Sequence, residues 1–250
     1  MLSNTHYIMN LSIMQAFDYS ANSPARLATL LFLLGYLIWM YWNLNKAIQI
    51  YHANNEFSEK WVIMAILSLV TGDTIHEIYL IWSYFENDIA LYGFGFTALM
   101  LTSIFMSGYY FFLLLFQRAE FKNSISPVGL LGLLFVFLVR IIHGVLPENE
   151  YANPTVEGYT NIRILSNVAF CAFGLLILSI LLWNARQRAT VKDIYFITSA
   201  ILGFLSFLFY ILHLLLYPVA SIFGMFMLPK SIAYMAEVYY LVVGISIKRQ

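Results

Sequence analysis

The chain has one cysteine in 250 residues. Cys171 therefore has no partner for an intramolecular disulfide, and a cysteine-built metal site or redox pair is excluded within one chain. Charge is scarce too: Asp, Glu, Lys and Arg make up 10% of residues, against about 25% in soluble proteins. The 13 basic and 13 acidic residues cancel, so the composition offers nucleic acid no basic surface and argues against it as a partner. No heptads, low-complexity run or internal repeat interrupts the chain, and no connector is long enough for a soluble domain.

What is abundant is apolar surface, at 61% of residues. It comes in seven stretches separated by polar connectors: Leu27–Leu44, Trp61–Phe85, Gly95–Gln117, Pro127–Leu146, Asn161–Asn184, Ile194–Tyr217 and Ile222–Ile247. A helix needs ~20 mostly apolar residues to span a ~30 Å hydrocarbon core. The expected fold class is all-α, a polytopic seven-transmembrane-helix bundle with the lipid bilayer as its first partner. Residues 1–26 lack the basic leader of a signal peptide. With Ile8, Met9, Ile13, Met14 and Phe17, they read as an interfacial segment on the outer side. Residues 27–250 form a single membrane domain.

Nine of the 13 basic residues fall on one side, with Arg26 and Arg163 at span edges on the other. Lys46, Lys60, Arg118, Lys122, Arg186, Arg188, Lys192, Lys248 and Arg249 occupy alternate connectors and the carboxyl end, while Glu86, Asp88, Glu148, Glu150 and Glu157 occupy the others. The positive-inside rule then places the amino terminus outside and the carboxyl terminus in the cytoplasm. Aromatic residues are 18% of the chain, and those at span ends, such as Trp42, Trp61, Trp82 and Trp183, read as an interfacial belt.

Inside lipid, a charged side chain needs a partner, a cavity or a task. Five stretches carry polar residues at helical spacing: Asp73, His76 and Glu77; Arg140 and His143; Arg163, Ser166 and Asn167; Ser206, Tyr210 and His213; Lys230, Tyr234 and Glu237. Such spacings stack on one side of a helix, so the five faces should converge inside the bundle. Counting from span ends places them between the midplane and the outer third, above a floor containing Phe111, Phe112, Phe135 and Phe137. A cavity opening outward is expected, with Asp73–Arg140 and Glu237–Lys230 as ion pairs. Ser166, Ser199 and Ser206 read as satisfied by carbonyls. Pro229 is expected to kink or open the start of the last span.

Three groups of residues also carry a resemblance. Gly72-Asp73-Thr74-Ile75-His76, then Arg140 followed by Leu146-Pro147-Glu148-Asn149, then Met227-Leu228-Pro229-Lys230-Ser231-Ile232-Ala233-Tyr234 resemble a group of bacterial seven-span proteins with no established activity. The likeness covers spans two to seven and implies a bacterial cytoplasmic (inner) membrane. Seven spans with embedded Asp and His are also similar to the alkaline-ceramidase and adiponectin-receptor superfamily. Its members hold zinc through three histidines and cleave amide bonds in lipids. The last span here has no His-x-x-x-His pair, so that zinc site is not carried over.

Several functions compete. In the first, an outward-facing polar cavity binds, transports or senses an anionic or amphipathic, lipid-like small molecule. Its ligand-binding residues would be Arg140, His143, Arg163, Asn167, Tyr210, His213, Lys230, Tyr234 and Glu237, since guanidinium and ammonium groups suit carboxylate or phosphate. In the alternative, the chain is a metal-dependent intramembrane hydrolase acting on a lipid. Its Zn²⁺ would sit on His76, His143 and His213, with Asp73, His76 and Glu77 in catalysis. Retinal on Lys230 is disfavoured, because Lys230 lies near the outer end of its span and the third span offers no carboxylate counterion. The bland reading of the charges is an ion-pair network that only sets helix register.

Overall fold

The computed structural model describes residues 24–83, 89–122, 127–145, 161–216 and 225–247. Among these residues the secondary structure is entirely helical. The α-helices are α1 (Pro24–Asn54), α2 (Phe57–Ser83), α3 (Ile89–Phe121), α4 (Pro127–Val145), α5 (Asn161–Arg188), α6 (Val191–Leu216) and α7 (Met227–Ser246). Long Leu-, Ile- and Phe-rich runs take this form in lipid because a helix satisfies its own backbone donors and acceptors. Five segments are long and apolar enough to cross a membrane: Leu27–Asn54, Phe57–Trp82, Met100–Phe121, Ser166–Arg188 and Val191–Leu216. Within α4 the apolar stretch Gly129–Ile142 is shorter. Of the seven apolar stretches read in the sequence, five thus qualify as spans by length and composition among the described residues.

Three helices end alike at the basic side. Asn55, Lys122 and Ala189 have φ of 54°, 53° and 52°, the left-handed conformation that closes a helix C-terminus. The Asn55 amide donates to the Tyr51 carbonyl at 2.7 Å, and the Ala189 amide to the Ala185 carbonyl at 3.0 Å. The reversals into α2 and α6 follow within two residues.

Neighbours in sequence are neighbours in space, and α7 returns to α1, so the helices close a ring. Contacts of α3 with α5 and of α2 with α7 cut across it, leaving α4 and α1 as outer flanks. Helices α2 and α3 approach most closely where glycine permits. A Cβ on Gly108 would lie 2.5 Å from Ser68 Oγ, and one on Gly72 would lie 2.7 Å from Phe105 Cβ. The hydroxyls of Ser68 and Thr102 donate across this seam to the carbonyls of Phe105 and Gly72, each at 2.8 Å. The interior is filled with rings: Tyr110, Phe170 and Phe207 pack with centroids 5.3–5.9 Å apart. Leu31, Ile38, Phe135, Trp183, Ile194 and Leu215 face outward, a surface that only lipid covers without cost.

Two expectations change here. Phe135 is 67% exposed and faces lipid, so it is not part of the floor; it lies on the outward side of α4. Pro229 sits in the first turn of α7, where a missing N–H costs nothing. It marks a beginning and kinks no established helix.

Candidate functional site

The polar faces do turn inward. Asp73, Glu77, Arg140, Ser166, Asn167, Ser206, His213, Tyr234 and Glu237 are all buried, while His76, Tyr210 and Lys230 are half-buried. Cross-helix bonds set the levels. Tyr36 of α1 donates its hydroxyl to Asp73 of α2; one residue away, the Gly72 carbonyl accepts from Thr102 of α3. Adjacent Ser103 accepts from Arg140 of α4, whose other terminal nitrogen donates to Ser166 of α5. Ser206 of α6 donates to the Lys230 carbonyl of α7 at 3.2 Å. These bonds place a charged side chain of α2, α4 and α7 in one polar layer.

Within the layer the charges do not pair as the sequence reading expected. Arg140 has no carboxylate within ion-pair distance among the described residues. It rests on two serines and on the Phe170 ring, 5.3 Å from guanidinium carbon to centroid, and its Nε has no partner. Asp73 takes the Tyr36 hydroxyl in its place. Lys230 lies within electrostatic reach of Asp73 and Glu77, and it sits 5.8 Å from the ring centroids of both Tyr210 and Tyr234. Glu237 lies seven residues further along α7, ~10 Å deeper than Lys230. It accepts from Tyr109 of α3 at 2.9 Å, and its second oxygen has no partner.

Rings divide the layer. Phe170, under Arg140, meets Tyr210, under Lys230, edge-on at 6.0 Å. Tyr210 donates to Asn167 at 3.1 Å, next in sequence to the serine that holds Arg140. The space between α3, α5, α6 and α7 here is lined by Met106, Tyr110, Phe170, Ser206, Phe207, Tyr210, Lys230 and Tyr234, and its volume is about 10 Å³. One water fits such a void.

Arg140 lies ~8 Å of helical rise from Val145 in α4, and Ser166 lies ~8 Å from Asn161 in α5.

The side chains of His143 and Arg163 lie outside the described residues. Among those described, no group of three His, Cys, Asp or Glu side chains is placed to hold a metal. His76 has its Nδ1 buried without a partner and lies within reach of the Lys230 ammonium, which opposes a second cation there.

Ser199 and Ser206 donate to backbone carbonyls, of Glu237 and Lys230, as a structural role requires. Ser166 departs from that role by accepting from Arg140. Sequence reasoning missed Tyr36, Ser103 and Tyr109. Their signal was available: each is a polar residue well inside an apolar run. It also missed a network at the basic end. Arg188 grips Asp193 through Nε (3.0 and 2.9 Å) and Nη2 (2.6 Å), and reaches Glu120 through Nη1 at 2.9 Å. Lys192 meets the same Glu120 oxygen at 2.9 Å, and Ser58 donates to the other at 2.9 Å. Thr190 caps Asp193 with its amide at 2.8 Å and its hydroxyl at 2.5 Å. Two cations and two carboxylates thereby tie α2, α3, α5 and α6 together.

No family model, characterised protein or solved structure matches the chain. Its class rests on its own features: apolar membrane-length helices, a lipid-type outer surface and charges turned inward make it an integral membrane protein built as an all-helical bundle.

Proposed function

We propose that the chain is a seven-span protein of the bacterial cytoplasmic membrane, amino terminus outside, that binds the anionic head of a small amphipathic, lipid-like molecule at Arg140. The orientation rests on the distribution of Lys and Arg; the membrane's identity rests on the sequence resemblance alone. One observation carries the binding reading. A guanidinium buried to 4% exposure has only neutral hydroxyls and a ring as described partners. A buried charge without a counter-charge is costly, and a carboxylate or phosphate would supply the counter-charge and engage the unpartnered N–H. The lipid-facing side of α4, with Leu131, Phe135, Leu138 and Ile142 exposed, can lie along the tail.

The test is binding of a fluorescent long-chain carboxylate, and of the matching neutral alcohol, to the protein in nanodiscs. The wild type should prefer the carboxylate. Arg140→Gln, which removes the charge and keeps a polar side chain, should weaken it roughly tenfold, or by about 1.4 kcal/mol, and leave the alcohol unchanged. Equal loss for both probes, or none, removes the reading.

A further inference from the structure

At the basic end of the bundle a second feature stands apart from the Arg140 layer. Between α2 and α3 lies an open groove of about 300 Å³, lined by Phe57, Trp61, Leu115, Arg118 and Ala119. That volume is at the lower end of the ~300–1,000 Å³ of small-ligand sites. Its aromatic wall is ordered. Phe57 meets Trp61 at right angles, 6.0 Å between centroids, and Trp61 stacks on Phe112 at 6.2 Å. Lys60 holds its ammonium 5.8 Å from the Phe57 ring centroid and 5.4 Å from that of Tyr51.

The cations here differ from those of the network nearby. Arg188 and Lys192 are matched by Glu120 and Asp193. Neither Arg118 nor Lys60 has a carboxylate within ion-pair distance among the described residues. Arg118 is in the last turn of α3, where a cation also suits the helix dipole, but the dipole accounts for neither the aromatic wall nor the second cation on α2. From the groove an apolar stripe runs up α2 at helical spacing: Phe57, Met64 and Leu67 are 62%, 40% and 42% exposed.

We propose that this groove is a site for an anionic phospholipid. Arg118 and Lys60 take the phosphate, Trp61 sits at the ester level where amphipathic rings prefer to lie, and an acyl chain follows the α2 stripe. Juxtamembrane Lys and Arg at the cytoplasmic surface attract anionic headgroups. Arg118 in the lining of this open aromatic groove, with Lys60 against its Phe57 ring, adds a local site to that attraction. Placing the site in the inner leaflet rests on the orientation proposed above; the site itself does not depend on Arg140.

Native mass spectrometry of the purified full chain, equilibrated in mild detergent with phosphatidylglycerol and phosphatidylcholine, tests the proposal. The wild type should retain phosphatidylglycerol preferentially. Arg118→Gln should lower that retention roughly fivefold, and the Lys60→Gln, Arg118→Gln double variant further, at about the same factor per charge. Trp61→Ala should lower retention of both lipids. Arg186→Gln removes an exposed basic residue at the end of α5 and should change nothing. Equal loss in Arg186→Gln and Arg118→Gln would mean bulk surface charge and would overturn the site, as would unchanged retention in the double variant. Neither Lys60 nor Arg118 holds a buried bond among the described residues, and the single Arg118→Gln variant reads the site if the double variant folds poorly. Normal carboxylate binding by the double variant separates this site from the one at Arg140.

Discussion

The two charged regions of this bundle use the same residue types to opposite ends. At the basic end, Arg188, Lys192, Glu120 and Asp193 sit close together and each oxygen of Glu120 and Asp193 accepts a bond; buried Glu59 beside them keeps one oxygen unpartnered among the described residues. Towards the opposite end, Arg140, Lys230, Asp73, Glu77 and Glu237 are spread across the section. Most rest on hydroxyls and rings, and atoms of Arg140, Glu77 and Glu237 have no partner. A closed network is built to hold helices. An open one retains bonding capacity that something else can use. Burial alone does not separate the two; satisfaction does.

The sharpest way to break this comparison is at Glu120. Glu120→Ala leaves Arg188 and Lys192 without a shared carboxylate beside α3, and the loss should be about 3–5 kcal/mol. Denaturation of purified protein in detergent would measure it. A loss below that of a surface substitution would mean that the basic end is not the structural one. Gly108→Ala comes next. Its methyl would displace Ser68 Oγ, 2.5 Å away, from the Phe105 carbonyl and wedge α2 from α3, costing about 1–3 kcal/mol in the same assay. Smallest is Ser206→Ala. It removes one bond to the Lys230 carbonyl and should cost about 0.6 kcal/mol, the average for a side-chain bond between membrane helices. It should barely move carboxylate binding, because the bond supports the start of α7 and lies across the rings from Arg140. A large binding loss in Ser206→Ala, without loss of stability, would merge the two halves of the polar layer into one pocket.

The helical class was legible because length and hydropathy are local properties. So were the buried positions of Asp73, Arg140, Tyr234 and Glu237, since a charge in an apolar run has few places to turn. Partners were not legible. The expected Asp73–Arg140 and Glu237–Lys230 pairs failed because pairing depends on helix order around the ring and on rotations that no single span encodes. Tyr36 and Tyr109 were passed over because tyrosine in a membrane chain reads first as an interfacial ring; only depth within the span distinguishes the hydroxyls that reach Asp73 and Glu237. Arg188 and Lys192 read in the sequence only as basic connector residues, and Asp193 carries no signal of its own there. The two-residue reversal at Ala189-Thr190, with its left-handed residue, is what folds them back onto α3.

That same helix touches both ends of the molecule. α3 supplies Ser103 to the Arg140 group, Tyr109 to Glu237 and Glu120 to the basic network, over ~26 Å of continuous rod. Rolling α3 by one residue would turn it by about 100° and pull all three attachments out of place together. The bundle therefore has a built-in crankshaft: whatever rotates α3 at the Ser103 end is felt as torque on the clasp at the other.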